Sequence, residues 1–429
     1  MRFRKRAMAG AAVLSMAAAG LGLNPAGASG YDHDDDDDEV TFLVTIENRS
    51  GRFNRSSAGV FNTPVGQPDP GPVFDGDAYE FTVFGNPGDK LSFASMFVFS
   101  NDWFFATGDR GLDLYDPNGT PVSGDITGQL HLLDAGTEAD EAFMTGPNQP
   151  INQAGPNTGP EDPNNKVRIV DSVGPVSDFL DATVTPQGGG EFTVRVANVS
   201  GSSAYSTPVA PGAFTVHKGG RPVYKLNKKD KGRGLESLAE DGDSGPLYEW
   251  LNRRAVVASP LAPGAYVAGP DGQIFTVGLP DAGNGLESLA EDGSPGALAG
   301  TLVGTDVGTF GMAPAFPGDS YQFQVTAKRG DRLDFATMLV QSNDWFFAPE
   351  DGDGLRLFRR NGEPRQGNVT RQIGIFDAGT EVDEALGFGP NQAPRQSGPN
   401  TGADEGGVVH VEGLNVAKYI KVTLDLIDD

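Results

Sequence analysis

Thr41-Phe42-Leu43-Val44-Thr45-Ile46-Glu47-Asn48-Arg49-Ser50 decides how the rest of the chain is read. Phe42, Val44 and Ile46 alternate with Thr41, Thr45 and Glu47. A period of two belongs to a strand with one face in a core and the other toward water. The same alternation returns in Tyr321, Phe323 and Val325, set between Gln322, Gln324 and Thr326. Sixty glycines and 31 prolines in 429 residues break the chain into short segments between turns. Strands recurring at such short intervals favour an antiparallel sandwich over an α/β fold. Helical signals are sparse, the best being Leu235–Glu240 with Pro246–Arg253 and a related pair around Leu286–Glu291. The expected class is all-β, with few short helices.

The opening pattern also recurs. Phe42-x-Val44-x-x-x-Asn48-x-Ser50 returns as Phe192-x-Val194-x-x-x-Asn198-x-Ser200. Further along, Ser100-Asn101-Asp102-Trp103-Phe104-Phe105-Ala106 is repeated letter for letter as Ser342–Ala348. Asp134-Ala135-Gly136-Thr137-Glu138, with Asp140 and Glu141, returns as Asp377–Glu381 with Asp383 and Glu384. Self-similarity of this kind means two copies of one structural unit. Pro186-Gln187-Gly188-Gly189-Gly190 has linker composition. The expected order is a first module over 40–185, a linker over 186–191 and a second module over 192–429. The second module carries an internal duplication at about 210–296. There Ala210–Phe214 and Gly234–Gly242 are echoed by Ala262–Tyr266 and Gly285–Gly293. It reads as an insertion.

Arg2, Arg4, Lys5 and Arg6 precede an apolar run from Ala7 to Leu23, which ends at Pro25-Ala26-Gly27-Ala28. That is the layout of an export signal over residues 1–28, so a secreted protein is expected. Residues 29–39, nearly pure acid from Asp32 to Glu39, read as a solvated, disordered tether. They fail as an EF-hand loop, because Asp37 and Leu43 stand where glycine and glutamate are required. The formal net charge of −26 argues against nucleic acid as a partner. The absence of cysteine excludes disulfides, thiolate metal sites and a cysteine nucleophile. No second apolar run is present to act as a membrane span.

What the two copies retain is carboxylate beside an aromatic anchor. Calcium takes six to eight oxygen ligands at flexible geometry, usually several carboxylates with carbonyls and water. Asp102 is set in a loop by the strand before it and by Trp103. Asp134 and Glu138, four apart across a glycine-containing turn, can converge on one ion. Leu114-Tyr115 becomes Leu357-Phe358 and Pro117 becomes Arg359-Arg360 between the copies, while the acidic blocks stay fixed. At these blocks, over roughly 86–159 and 328–402, the chain resembles the spondin N-terminal domain family. That family pairs a Ser-Pro-Asp-Trp-like segment with Asp-Ala-Gly-Thr-Asp and an Asn-Lys-Pro-like turn, here similar to Pro147–Pro150 and Pro390–Gln392. The resemblance implies two tandem antiparallel β-sandwiches of C2-like type, each binding one Ca²⁺. The ligands it implies are Asp102, Asp134 and Glu138, and in the second copy Asp344, Asp377 and Glu381. Glutamate replaces the family's closing aspartate in both copies.

Gly242-Asp243-Ser244-Gly245-Pro246 resembles a protease nucleophile loop, but its counterpart Gly293–Gly296 lacks the pattern. Histidine occurs only at positions 33, 131, 217 and 410, never at matched repeat positions, and no triad is supported. The expected function is therefore a secreted, non-enzymatic, calcium-binding adhesion or matrix-binding protein. Its expected partner is an extracellular or cell-surface protein or glycan. A lectin-like or carbohydrate-processing surface protein is the alternative.

Overall fold

The computed structural model describes residues 39–52, 54–350 and 354–427. The leader expected over 1–28, and all of the acidic tether except Glu39, lie outside the described residues. Strands dominate, and they form four antiparallel sheets consistent with two β-sandwiches. In the first sandwich a four-stranded sheet runs Ala78–Phe84, Glu191–Asn198, Leu180–Gly188, Gly124–Asp125. It faces a seven-stranded sheet whose centre is Val209–His217, Lys90–Phe97, Trp103–Thr107 and Leu130–Asp134. Phe81, Val83 and Val194 from one sheet and Phe93, Phe97 and Phe105 from the other share a single core. In the second sandwich Ser320–Ala327, Val40–Asn48, Ile420–Leu426 and Gly367–Asn368 form the smaller sheet. The larger one is built on Gly264–Gly269, Arg332–Met338, Trp345–Pro349 and Ile373–Asp377.

These pairings correct the expected module boundaries. Val40–Asn48 pairs with Ser320–Ala327 on one side and Ile420–Leu426 on the other, so it belongs to the second sandwich. Phe192–Asn198 does not open that sandwich. It pairs with Ala78–Phe84 and Leu180–Pro186 and completes the first. The residues expected to form a flexible linker make a hairpin instead. Pro186 pairs with Phe192 and Gly188 with Glu191, and Gly188, Gly189 and Gly190 all have positive φ. A side chain at Gly190 would come within 2.7 Å of the Phe388 ring, so only glycine fits this turn. The first sandwich is thus interposed between the first and second strands of the other. The chain leaves the second sandwich after Asn48 and returns beside its point of departure, where Val256 N–H donates to Arg55 O at 2.9 Å. Arg55 is buried there and donates to the carbonyls of Trp250 and Leu251.

The duplication at 210–296 is not an insertion either. Its halves are divided between the sandwiches, one strand and two helices to each. Val209–His217 pairs with Arg55–Phe61 and Lys90–Phe97, and Gly264–Gly269 pairs with Asp306–Phe310 and Arg332–Met338. The echoed glycine of each half is required by packing. A Cβ on Gly212 would meet the Phe61 ring at 2.1 Å, and one on Gly264 would meet Phe310 at 2.2 Å. The helices are α1 (Leu235–Asp241) and α2 (Gly245–Asn252) in the first half, α3 (Leu286–Asp292) and α4 (Gly296–Thr301) in the second. Leu235, Leu238 and Ala239 lie on one face of α1 and pack over Ala94, Phe104 and Leu133 on the outside of the larger sheet. Leu286, Leu289 and Ala290 do the same in α3. Gly242 and Gly293, both left-handed, close these helices by donating to Leu238 O and Leu289 O. Among the described residues no helix is long and apolar enough to cross a membrane.

Candidate metal centre

Each larger sheet ends in a pocket of carboxylates built in the same way. Trp103 and Asp134 face each other across neighbouring strands, as do Trp345 and Asp377. Asp102 sits in the turn before Trp103, fully buried. Its Oδ2 accepts the N–H groups of Thr137 (2.7 Å) and Glu138 (3.1 Å) and the Thr137 hydroxyl (3.0 Å). Asp344 receives the same three bonds from Thr380 and Glu381 at 2.8, 3.1 and 3.0 Å. Asp134 Oδ1 accepts Gly136 N–H at 2.7 Å, and Asp377 Oδ1 accepts Gly379 N–H at 2.6 Å. Gly136 holds φ of +67°, and a Cβ there would stand 2.5 Å from Lys166 N. The repeated Asp-Ala-Gly-Thr string is therefore a loop whose backbone donors clamp two aspartates in place.

The structure brings Asp102 and Asp134 together, and Asp344 and Asp377, with one oxygen from each within 4.8 Å of the others in its cluster. The third member is Asp140 in the first cluster and Asp383 in the second. Glu138 and Glu381, expected as ligands, fall outside. Glu138 accepts Gly159 N–H at 2.6 Å and Asn101 Nδ2–H at 3.3 Å, and Glu381 accepts Gly402 N–H at 2.6 Å and Asn343 Nδ2–H at 3.1 Å. Both oxygens of each glutamate are thus engaged in tying a loop down. Asp140 and Asp383 were marked in the sequence by the same repeated blocks. What hid their role is that the Trp indole orients them: Nε1–H of Trp103 donates to Asp140 at 2.7 Å, and that of Trp345 to Asp383 at 2.9 Å. Each tryptophan is half-buried against its sandwich core, so it anchors the site through its N–H as well as its ring.

Among the described residues, Asp102 Oδ1 and Asp344 Oδ1 have no hydrogen-bond partner, and both are buried. An unsatisfied buried carboxylate oxygen is costly. Burial pushes the carboxyls of Asp102 and Asp134 above their ordinary range, and Asp140 raises both further. Burial and the neighbouring Asp344 take Asp377 up to about 7. Helices α1 and α3 add one more buried acid to each site. Glu240 and Glu291 are both raised to about 8, first by burial and then by Glu138 and Glu381 respectively. Both oxygens of Glu240 are buried, and the Thr137 side chain beside them offsets the effect of burial only in part. The repeated Gly-Leu-Glu-Ser-Leu-Ala-Glu-Asp-Gly string thus both packs a helix on each sheet and delivers a carboxyl beneath each cluster.

The clusters differ in one respect. Arg168 stands across from Asp134 in the strand register, and His410 holds the same place across from Asp377. The Arg168 guanidinium bonds Asp134 Oδ2, reaches Asp162 at 2.7 Å and lies 3.5 Å from Asp140. His410 Nδ1 is 3.9 Å from Asp377 Oδ1, and its Nε2 is 3.3 Å from Glu412. The first cluster therefore has a built-in cation, and the second has only a titratable one.

A serine–histidine contact exists elsewhere, between Ser92 Oγ and His217 Nε2 at 2.9 Å. Both are buried, and His217 Nδ1 faces the Gly219 carbonyl rather than an acid. It has neither access to a substrate nor a group that would orient a base. No family model matches the chain, and no curated protein matches it. The spondin resemblance accordingly rests on the quoted motifs.

Proposed function

We propose that this chain is a secreted, non-enzymatic adhesion or surface-binding protein whose two spondin-like, C2-type sandwiches are stabilised by calcium. The observation that carries the metal reading is the pair of matched aspartate clusters, each with a buried, unpartnered oxygen on its central residue. All-oxygen donors from three aspartates suit a hard cation, with carbonyls and water completing the shell. A bound ion would offset the burial and mutual repulsion that push the carboxyls of Asp102, Asp134 and Asp377 up. The residues assigned to the ion are Asp344, Asp377 and Asp383 in the second sandwich and Asp102, Asp134 and Asp140 in the first. Arg168 competes with the ion at the first cluster, so two sites of unequal affinity are expected.

Calorimetric titration of the intact protein with calcium tests this. Two unequal sites in the extracellular range, on the order of 10⁻⁵ to 10⁻³ M, support the proposal. Heat and melting temperature unchanged between calcium and EDTA reject it. A second reading applies to the second cluster alone: His410 adds a nitrogen donor beside Asp377 and Glu412, which suits zinc. Zinc binding that disappears in His410→Ala while calcium binding persists would establish it.

A further inference from the structure

Both sandwiches carry a cavity at the same place, beside the loop that leads into α1 or α3. In the first it measures about 210 Å³ and lies between Val167, Val223, Tyr224 and the loop 225–233. In the second it measures about 250 Å³ and lies between Val409, Ile274, Phe275 and the loop 276–284. The two loops are held in the same way. Val167 N–H donates to Lys228 O at 3.0 Å, as Val409 N–H does to Leu279 O at 2.9 Å. Gly232 N–H donates to Asp230 at 2.9 Å, as Gly283 N–H does to Asp281 at 3.2 Å. The fold supplies the cavity, and the side chains decide what it can hold.

The linings have diverged in charge. Lys225, Lys229, Lys231 and Arg233 border the first cavity where Thr276, Pro280, Ala282 and Asn284 border the second. The loop does not need the cations to fold, since the uncharged set makes the same backbone bonds. Yet five of the nine residues from 225 to 233 are Lys or Arg, in a chain with 58 acids and 32 bases. The acids nearest the first cavity are already engaged. Asp230 braces Gly232, and Asp109 accepts from the remaining cation of the lining, Arg221, at 2.6 Å. Among the described residues Lys225, Lys229 and Lys231 form no ion pair. The Arg233 guanidinium lies 4.3 Å from the centre of the Trp250 ring, where Arg55 and Arg254 join it at 5.6 and 5.0 Å. Burial, and then the charges of Arg254 and Arg233, lower Arg55 to about 10. Positive charge is gathered on this wall against the trend of the whole chain.

We propose that the first cavity binds a phosphate monoester carried on a small, partly apolar molecule. Such a group places a charge of about −1.5 to −2 on three oxygens at pH 7, which suits three ammonium groups and a guanidinium around one pocket better than a single carboxylate does. Lysine meets phosphate as a point charge and needs no bidentate geometry. Buried Val167, Val223 and Tyr224 give the organic part an apolar inner wall. The Tyr224 hydroxyl is tied to Thr107 O at 2.9 Å, so the residue offers its ring rather than a donor. An extended polyanion or an anionic bilayer would also meet the acidic remainder of a chain of net charge −26 and be repelled. A small ligand feels mainly the local field, because salt screens the rest within about 8–10 Å. The inference uses neither aspartate cluster and stands apart from the calcium reading.

The experiment is calorimetric titration of the intact protein, stripped of metal and then dialysed free of chelator, since chelators are themselves polyanions. The probes are phenyl phosphate, inorganic phosphate, benzoate and phosphatidate vesicles, the last presenting the same monoester on a membrane. Expected is one phenyl phosphate per chain, bound at least about tenfold more tightly than inorganic phosphate or benzoate, with no binding to the vesicles. Lys229→Gln/Lys231→Gln, both at exposed positions, should weaken phenyl phosphate by at least about tenfold. Arg359→Gln/Arg360→Gln removes equal charge from the second sandwich, also at exposed positions, and should leave it within about twofold. The proposal is overturned by equal losses in the two double variants or by no loss in the lysine variant. It is overturned equally by benzoate or inorganic phosphate matching phenyl phosphate, by vesicle binding, or by no binding of phenyl phosphate.

Discussion

Arg168 lies directly across the strand register from Asp134 and bonds its carboxylate, occupying with a side chain the place where a cation is wanted. Removing that guanidinium should expose the ion site. Arg168→Gln is expected to tighten calcium binding at the first cluster by about tenfold, a difference of about 1.4 kcal/mol. In EDTA the same variant should melt lower than the parent, because its aspartates lose their counter-charge. Calorimetry showing an unchanged first-site affinity would remove Arg168 from this role.

Asp383 and Glu381 separate ligand from brace. Asp383→Asn should weaken calcium binding at the second cluster by about tenfold or more while disturbing stability little. Glu381→Gln perturbs the bonds to Gly402 N–H and Asn343. It should therefore lower the melting temperature in EDTA, by the equivalent of about 1–3 kcal/mol, and affect calcium less. The reverse pattern in a paired titration would return the third ligand position to the glutamate.

Stability without calcium should fall as pH rises. Glu240 and Glu291 keep their protons up to about 8 in the folded chain, whereas the unfolded chain releases them near the ordinary 4.5. Between those values the folded state binds more protons than the unfolded state, so each rise in pH favours unfolding. The melting temperature in EDTA is expected to drop between pH 5 and pH 8. Glu240→Gln/Glu291→Gln should flatten the slope and be the more stable protein at the alkaline end. A slope identical to that of the parent would show that other groups set it.

Phe42→Ala tests which sandwich owns the first strand. Phe42 is fully buried, lies opposite Val325 and Leu426 and meets the Phe358 ring edge-on at 5.6 Å. Truncation should cost about 3–5 kcal/mol and be felt by Trp345, in the second sandwich. With single-tryptophan variants, denaturation followed at Trp345 should shift and that followed at Trp103 should not. A shift at Trp103 alone would put the strand back in the contiguous module.

The repeat, the alternation and the acidic blocks were legible because each leaves a local trace. Phe42, Val44 and Ile46 are all buried, as their spacing demands. Strand ownership left no such trace. Phe42-x-Val44 and Phe192-x-Val194 present the same inward face and the same Asn side-chain anchor, Asn48 donating to Ser259 O and Asn198 to Thr207 O. Either strand satisfies the local rules of either sandwich, so only long-range pairing distinguishes them. The exchange of Glu138 for Asp140 at the cluster was hidden for a related reason. All three acids of the block repeat, and the direction in which each side chain points depends on donors brought from elsewhere, Gly159 N–H for the glutamate and the Trp103 indole for the aspartate.

The interleaved strand order also dictates a timetable. A chain made from its N-terminus presents Val40–Asn48 well before either of that strand's neighbours, Ser320–Ala327 and Ile420–Leu426, has been made. Meanwhile Ala78–Phe84 emerges and waits for Glu191–Asn198. Throughout that interval the nearest strand with a matching face is Val40–Asn48, so the nascent protein must avoid or undo a pairing that its own repeat makes attractive. Loop closure over such separations is slow. A short lifetime for that wrong pair, rather than the stability of the finished sheets, becomes the demand that the sequence of the first strand has to meet during synthesis.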